Sequence, residues 1–412
     1  MKKISIIFLI ALLSVFTISN YAFAQTEISV WNVSAIESDP GVLAIAEIYE
    51  EENPDVTINF TGIPYSDKLT KSTTEFFTAG EYTSFDVDEI NEMWLPEFVE
   101  NDWLAPIDEY VDRDFLEGYP DDVINSLTYD GSVFAIPHYI NMPLFFYNEE
   151  MLAEAGYDRP PKDWDELMEY AANLTKEGQF GFAAPLYQES DTVYFISTYF
   201  YQAGVRIYDE DKNIAFNTPE AVETYKFLGD MYKAEYMPAG CTSMDCFEVA
   251  NLFRQEKVAM MINWAFEIQT CLGEESKVRD KFAVSSHPAG PVGQKLCAAP
   301  WLYVLSNKAE EKELAAKYLQ MFMDPEILVN FVKLEPGKII PVAGLYDQQE
   351  VQESMPFSEV ITENIDNFVL EVGPKKEEVA IILAEELNKV LIGEKTAEEA
   401  INDAEQRAND TL

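Results

Sequence analysis

Along "TEISVWNV", which starts at Thr26, apolar and polar positions alternate and β-branched residues recur, so the segment predicts a strand ending near Trp31. The period lengthens over "DPGVLAIAEIYEEENP", where Pro40 and Gly41 stand near the start of a helix and Asn53-Pro54 stops it. "VTINFTGIP" predicts a second strand, "SDKLTKSTTEFFTAG" a second helix closed by Gly80, "FDVDEI" a third strand and "EMWLPEFVEND" a short third helix. Steady alternation of this kind predicts an α/β lobe on a largely parallel sheet.

Near Gly131 the style changes. "GSVFAIPHYINMPLFFYNEEML" carries two strand-like runs broken by Pro137 and Pro143, and mostly helical patterns follow in "DWDELMEYAANLTK", "YFISTYFYQAG" and "PEAVETYKFLGDMYKA". "EVANLFRQEK" precedes two strands, "VAMMIN" and "KFAVSSHPAG". "WLYVLS" and "EEKELAAKYLQMFM" return to strand then helix, and the tail from Lys375 reads as two helices. No internal repeat or low-complexity linker is visible. A chain of 412 residues exceeds one typical domain and suits two lobes. Lobes joined by strands such as "FAIPHY" and "VSSHPAG" would turn on short, defined hinges around a cleft, a common place for a ligand.

The first residues change the picture of the mature chain. Lys2 and Lys3 precede the apolar run "ISIIFLIALLSVFTIS", and "AFA" (22–24) puts small residues where a signal peptidase needs them. Residues 1–24 are therefore expected to be a cleaved secretory signal, since the run is short for a membrane span. No cysteine lies near the cleavage point, so no lipid anchor is expected there. Loss of Lys2 and Lys3 takes the bases from 28 to 26 against 74 acids, and the net charge from −46 to −48. That charge argues against nucleic acid and anionic membrane surfaces as partners. The acids are spread along the chain, as on a solvated surface, and no D-x-[DN]-x-[DN]-G loop marks Ca²⁺ binding. A hydrophobic content of 48% with 13% aromatics excludes a disordered acidic chain. Four cysteines in an exported chain favour disulfides. Three pairings are possible, and Cys241 with Cys246 and Cys271 with Cys297 is preferred because the first pair closes a tight local loop. A zinc site would need a CxxC or histidine partners, and His138 and His287 are the only histidines, so no metal or cofactor is expected.

Several blocks in order resemble the family 1 extracellular solute-binding proteins, the ligand-capturing subunits of ABC importers, and among them the maltose/trehalose type. "FDVDEINEMWLPEFVENDWLAPIDEYV" is similar to a strand–helix block ending in G-W-L-x-P-L-D. "GSVFAIPHYINMPLFFYNEEMLAEAGYDRPPKDWDELMEYA" resembles the family's hinge, L-x-Y-N strand and P-P-x-x-W-x-E-L turn. "FRQEKVAMMINWAFE", "HPAGPVG" and "APWLYVLSNKAEEKELAAKYLQMFMDPE" resemble its later blocks. Departures are Glu256 where the family usually has Gly, Ala298-Ala299-Pro300-Trp301 for Gly-Gly-x-W, and "IIPVAG" for a turn that carries a sugar-reaching arginine. The resemblance implies an α/β, two-lobed periplasmic-binding-protein fold of type II, each lobe a sheet flanked by helices. It implies crossings near Ala135–His138, Ser285–Gly290 and Asp347. The first lobe would take residues 25–135 and 290–347, and the second 136–289 and 348–412.

The segments that the resemblance aims at the cleft, "DVDEINEMW", "AIPHYINMPLFFYN", "VAMMINWAFEI" and "LCAAPWLYVLS", contain no Lys or Arg. A phosphate or carboxylate ligand normally recruits cationic donors. Flat rings with amides and carboxylates instead suit the C–H faces and hydroxyls of a neutral carbohydrate. The candidate ligand-binding residues are Trp31, Asn91, Tyr139, Asn141, Tyr187, Glu189, Trp264 and Trp301. Trp264, set after the apolar strand Val258–Ile262, is expected to be a stacking platform. Trp94, Trp103 and Trp164 are expected to pack, and His138 to serve the hinge. The expected function is capture of a disaccharide or oligosaccharide by cleft closure and delivery to ABC permease subunits, by a monomer. The competing readings are polyamine or polyol binding, service to a chemoreceptor, and a secreted carbohydrate-active enzyme. No G-x-S-x-G, H-E-x-x-H or P-loop supports catalysis, and among 74 acids a carboxylate pair at glycosidase spacing would arise by chance.

Overall fold

In the computed structural model, which describes residues 25–412 apart from 34, 37, 38, 117, 120, 343, 356, 366 and 372, the first strand β1 (Thr26–Val33) turns Ile28, Val30 and Asn32 inward. The alternation read from the sequence is thus the burial pattern of a sheet with one face more exposed. The expected signal segment, residues 1–24, lies outside the described residues. Beside β1 run β2 (Val56–Ile63) and β3 (Val87–Asn91), both parallel to it. The helices Pro40–Glu52 and Tyr65–Thr78 make the two crossovers. Proline near the start of the first supplies a φ suited to a helix N-terminus, where its missing N–H costs nothing.

Short β4 (Leu104–Ala105) and the hairpin of β5 (Thr128–Tyr129) with β6 (Ser132–Val133) lead into β7 (Ala135–Asn141). Both β4 and β7 pair antiparallel with β13 (Ala299–Ser306), which on its other side pairs with β3. The first sheet therefore has the order β2-β1-β3-β13, with β4 and β7 completing it. All eight residues of β13 are buried, which is why "APWLYVLS" reads as an apolar run without alternation.

The second sheet is built from β8 (Pro143–Asn148), β9 (Phe180–Ala183), β10 (Val258–Trp264) and β11 (Phe282–Ser285), in the order β11-β8-β10-β9. Helix Trp164–Leu174 packs on it, started by Asp163, whose side chain accepts from the Glu166 N–H. Helix Thr192–Ala203 is buried along its whole length between the helices Pro219–Lys233 and Lys376–Leu391, and Gly204 ends it at φ 84. Only a residue without a Cβ adopts that left-handed backbone freely. The C-terminal helix Ala397–Thr411, opened by a Thr396/Glu399 capping box, closes this layer.

The molecule has two lobes, each a sheet flanked by helices. The first passage between sheets falls at Met142, between β7 and β8, and not at Ala135–His138. Ala135, Ile136 and Pro137 are registered against Val304, Tyr303 and Leu302 in the first sheet, and a bulge opposite Trp301/Leu302 leaves His138, next to Pro137, as the extra residue. The return runs through β12 (Leu296–Cys297), paired with β14 (Phe368–Val369), into β13.

The disulfide expectation is corrected. All four cysteines are free thiols. Cys271 ends the helix Glu267–Cys271, while the Cys297 thiol lies 3.8 Å from the Tyr201 hydroxyl, to which it donates. Burial pushes the Cys241, Cys271 and Cys297 thiols up to about 12, which keeps them protonated and poorly nucleophilic.

Candidate functional site

The central position of β13 assembles one wall of the site. Trp301 is registered against Asn91 on one side and Tyr139 on the other, so three of the sequence candidates become neighbours through strand pairing alone. The Trp301 and Tyr139 rings lie 6.4 Å apart at 20°. Two further rings join them. Tyr65 opens its helix directly after β2, with its ring 5.8 Å from Trp301, and Trp94 follows the end of β3, 6.4 Å from Trp301 and 6.3 Å from Tyr65. Residues just past the C-terminal ends of parallel strands commonly line α/β ligand sites. Asn141 ends β7 with its Oδ1 buried and, among the described residues, without a hydrogen-bond partner. Asn91 Oδ1 accepts from the Met93 N–H at 3.0 Å and so fixes the turn that presents Glu92 and Trp94.

The second lobe meets this wall with hydrogen bonds. The Tyr65 hydroxyl donates to Asp191 Oδ1 at 3.0 Å, and Tyr187 donates to Asp191 Oδ2 at 3.4 Å. Tyr194 donates to Glu92 at 2.8 Å, Lys376 donates to Glu92 Oε1 at 2.7 Å, and the Trp94 indole donates to Glu377 at 2.6 Å. Burial pushes the Asp191 carboxyl up to about 6, although the two tyrosine hydroxyls favour its charged form. Burial likewise raises Glu377, and the Trp94 hydrogen bond lowers it only in part. Burial would lower Lys376, but the adjacent Glu92 outweighs it and holds the ammonium above its ordinary value.

Two cations therefore reach the site from segments outside those read as lysine-free, and both are neutralised. Lys376 pairs with Glu92, and Lys338 pairs with Asp39 at 2.6 Å while standing 4.9 Å from the Tyr139 ring centre.

The remaining candidates fall elsewhere. Trp31 packs its ring on Phe85 at 4.6 Å, and its carbonyl accepts from Lys68, whose ammonium is buried against Asp88. Trp264 is 3% exposed, with Phe195 and Tyr194 at 4.8 and 5.6 Å. The free indole face expected of a platform is covered in this conformation by the helix Thr192–Ala203 of its own lobe. Trp264 still stands one layer behind the site, because Tyr194 is the residue that bonds Glu92. Glu189 is exposed; its charge acts on Asp191, but its side chain joins no bond of the cluster. His138 is buried, 2.8 Å from Glu89 and stacked on Tyr303 at 4.5 Å, as suits a structural residue.

Tyr65, Glu92, Asp191, Tyr194 and Lys376 were not anticipated as site residues. Tyr65 carried a usable signal, since "GIPYSD" follows a strand of a parallel sheet. The others depend on contacts between residues more than a hundred positions apart, such as Tyr65 with Asp191, for which local pattern has no signal. Among the described residues no cluster of His, Cys, Asp and Glu could hold a metal ion, and no helix is long and apolar enough to cross a membrane.

Residues 36–327 match the family described as bacterial extracellular solute-binding protein. The chain belongs to that family. A Brucella abortus (strain 2308) protein named only as a candidate binding protein is 27% identical over 410 residues, covering 98% of this chain and 97% of its own. A maltotriose-binding protein of Pyrococcus abyssi (strain GE5 / Orsay) is 24% identical and covers 63% of this chain and 55% of its own. Maltose-bound MalE3 of T. maritima superposes with a TM-score of 0.82 at 23% identity, over 94% of this solute-binding protein and 100% of that chain. The likeness to MalE3 carries the two-lobed fold, and the names of the relatives are those of binding proteins.

Proposed function

We propose that this solute-binding protein captures a neutral carbohydrate, a disaccharide or oligosaccharide, between its two lobes and delivers it to the permease subunits of an ABC importer. The observation that carries the reading is the four-ring cluster of Tyr65, Trp94, Tyr139 and Trp301, flanked by the unpaired Asn141 Oδ1 and by Asp191. Rings cover the apolar faces of a sugar, and the amide and carboxylate oxygens accept its hydroxyls. Among the described residues, Lys338 and Lys376 are each paired with a carboxylate, which disfavours an anionic ligand. The sugar-binding names of MalE3's ligand and of the P. abyssi relative support the same class.

In action, the lobes turn about the strand connections at Met142 and β12–β13, and a ligand touching both sides favours the closed state by its differential affinity. The carboxylates at the site favour one rival, a polyamine, since carboxylates beside aromatic faces also suit amines. A thermal-shift screen of the mature protein with maltose, maltotriose, trehalose, mannitol, spermidine and galacturonate, followed by calorimetry, separates the classes. A shift with neutral sugars supports the proposal. A response to spermidine alone assigns a cationic ligand, and one to mannitol alone a polyol. Cleavage of the bound sugar on prolonged incubation would make the protein an enzyme. We further propose that the mature chain is a monomer beginning at Gln25 and carrying no lipid. Intact mass and sedimentation after export test this, with retained leader, acyl mass or a dimer as the contrary results.

A further inference from the structure

A cavity of about 1130 Å³ lies away from the interlobe site, at the opposite end of the second sheet. Its walls include Phe180 at the start of β9, Met237, Met244, Leu252 and Ile392. The walls are tied by backbone bonds: the Phe180 N–H donates to the Lys257 carbonyl at 2.9 Å and the Phe182 N–H to the Tyr236 carbonyl at 3.1 Å. A cavity held this way exists before any ligand arrives, as small-molecule sites usually do.

Its charge is the reverse of the rest of the molecule. The chain carries 74 acids against 28 bases, yet this cavity is lined by Lys176, Lys233 and Lys257 with Glu235 as the one acid. Among the described residues, Lys233 and Lys257 make no ion pair, and the ammonium of Lys176 reaches Glu154 only at 3.8 Å on an exposed edge. Unpaired cations at the rim of an apolar cavity create a local well for an anion in an otherwise repulsive field.

We propose that this cavity is a second ligand site, independent of the interlobe cleft, for a free amphipathic carboxylate with its chain among Phe180, Met237, Leu252 and Ile392 and its head group at Lys233 and Lys257. The polyhydroxylated ligand of the cleft is excluded from it, because the apolar wall would strip sugar hydroxyls of water without returning hydrogen bonds. The test is calorimetry of the mature protein with dodecanoate below its micelle concentration. The controls are dodecanol, dodecyltrimethylammonium, and vesicles of phosphatidylglycerol or phosphatidylcholine. Saturable one-to-one binding of dodecanoate is expected, weakened at least tenfold in the K233Q/K257Q double variant and abolished in Ala239→Trp, which fills the mouth. Binding of maltose or whichever probe occupies the cleft should be unchanged in both variants. Equal binding of dodecanol, binding of vesicles alone, absence of dodecanoate binding, or unaltered binding in folded Ala239→Trp would each overturn the proposal. Retained dodecanoate binding with no cleft ligand found would leave this site standing and remove only the carbohydrate reading.

Discussion

Trp301 and Trp264 are similar on paper, each a tryptophan in a buried strand, and the structure separates them. Trp301 belongs to a ring cluster facing the opposite lobe, whereas Trp264 is enclosed by Phe195 and Tyr194 of its own lobe. Trp301→Ala should weaken carbohydrate binding in the folded protein by about 2 kcal/mol or more, as loss of an aromatic anchor does, beyond the stability lost with its own buried ring. Trp264→Ala should instead cost about 3–5 kcal/mol of stability, the usual cost of emptying a buried aromatic site. Calorimetry beside urea denaturation of both variants checks the pair, and a reversal of the two outcomes would restore Trp264 as the platform. Asp191 makes a pH-dependent case. Its folded value of about 6 lies above the ordinary carboxyl value of 3.8. Between those values the folded state binds more protons than the unfolded chain, so this group's contribution falls as pH rises through the window. Asp191→Asn should therefore gain stability relative to the native protein on going from pH 4 to pH 7, by about 1–2 kcal/mol. Equal differences at the two pH values in denaturant titrations would show that the carboxyl is not perturbed.

At the scale of elements, the two lobes meet through helix starts. The helix Lys376–Leu391 presents Lys376 to Glu92 and Glu377 to Trp94, and the helix Thr192–Ala203 presents Tyr194 to the same Glu92. Lys376→Met would leave Glu92 buried without its cation, a loss of several kcal/mol if the lobes stayed closed. Opening the cleft hydrates Glu92, so this variant should favour the open form. Its radius of gyration by small-angle scattering should exceed that of the native protein, and ligand affinity should fall about tenfold, near 1.4 kcal/mol. An unchanged radius would locate closure elsewhere. These helices and strands were legible from periodicity and stop signals, since β1, the helix Pro40–Glu52 and the two tail helices all fall where their patterns place them. The passage at Met142 was not, because Pro137 was read as a break when a bulge lets it sit inside β7. The site was half legible for a related reason. Asn91, Tyr139 and Trp301 end or begin predicted strands, but the partners that close on them come from helix N-termini whose approach no local window contains.

For the whole molecule, charge and closure act together. With 74 acids and 28 bases, self-repulsion works against the compact state, and added salt screens it. Raising NaCl from about 0.05 to 0.5 M should raise the melting temperature by about 2–4 °C. A flat or falling response would mean that the acids are locally compensated.

The position of β13 carries one more consequence, for the order in which the molecule can form. Its residues 299–306 fill the gap between β3, which ends at Asn91, and β7, which ends at Asn141. Until residue 306 has been made, the first sheet has no middle, and β3 and β7 have no bridge between them. Domains tend to fold from the N-terminus as synthesis proceeds, but here the earliest residues must wait for a strand more than two hundred positions later. Such long-range closure is slow, so the first lobe is completed only after about three quarters of the chain has been made.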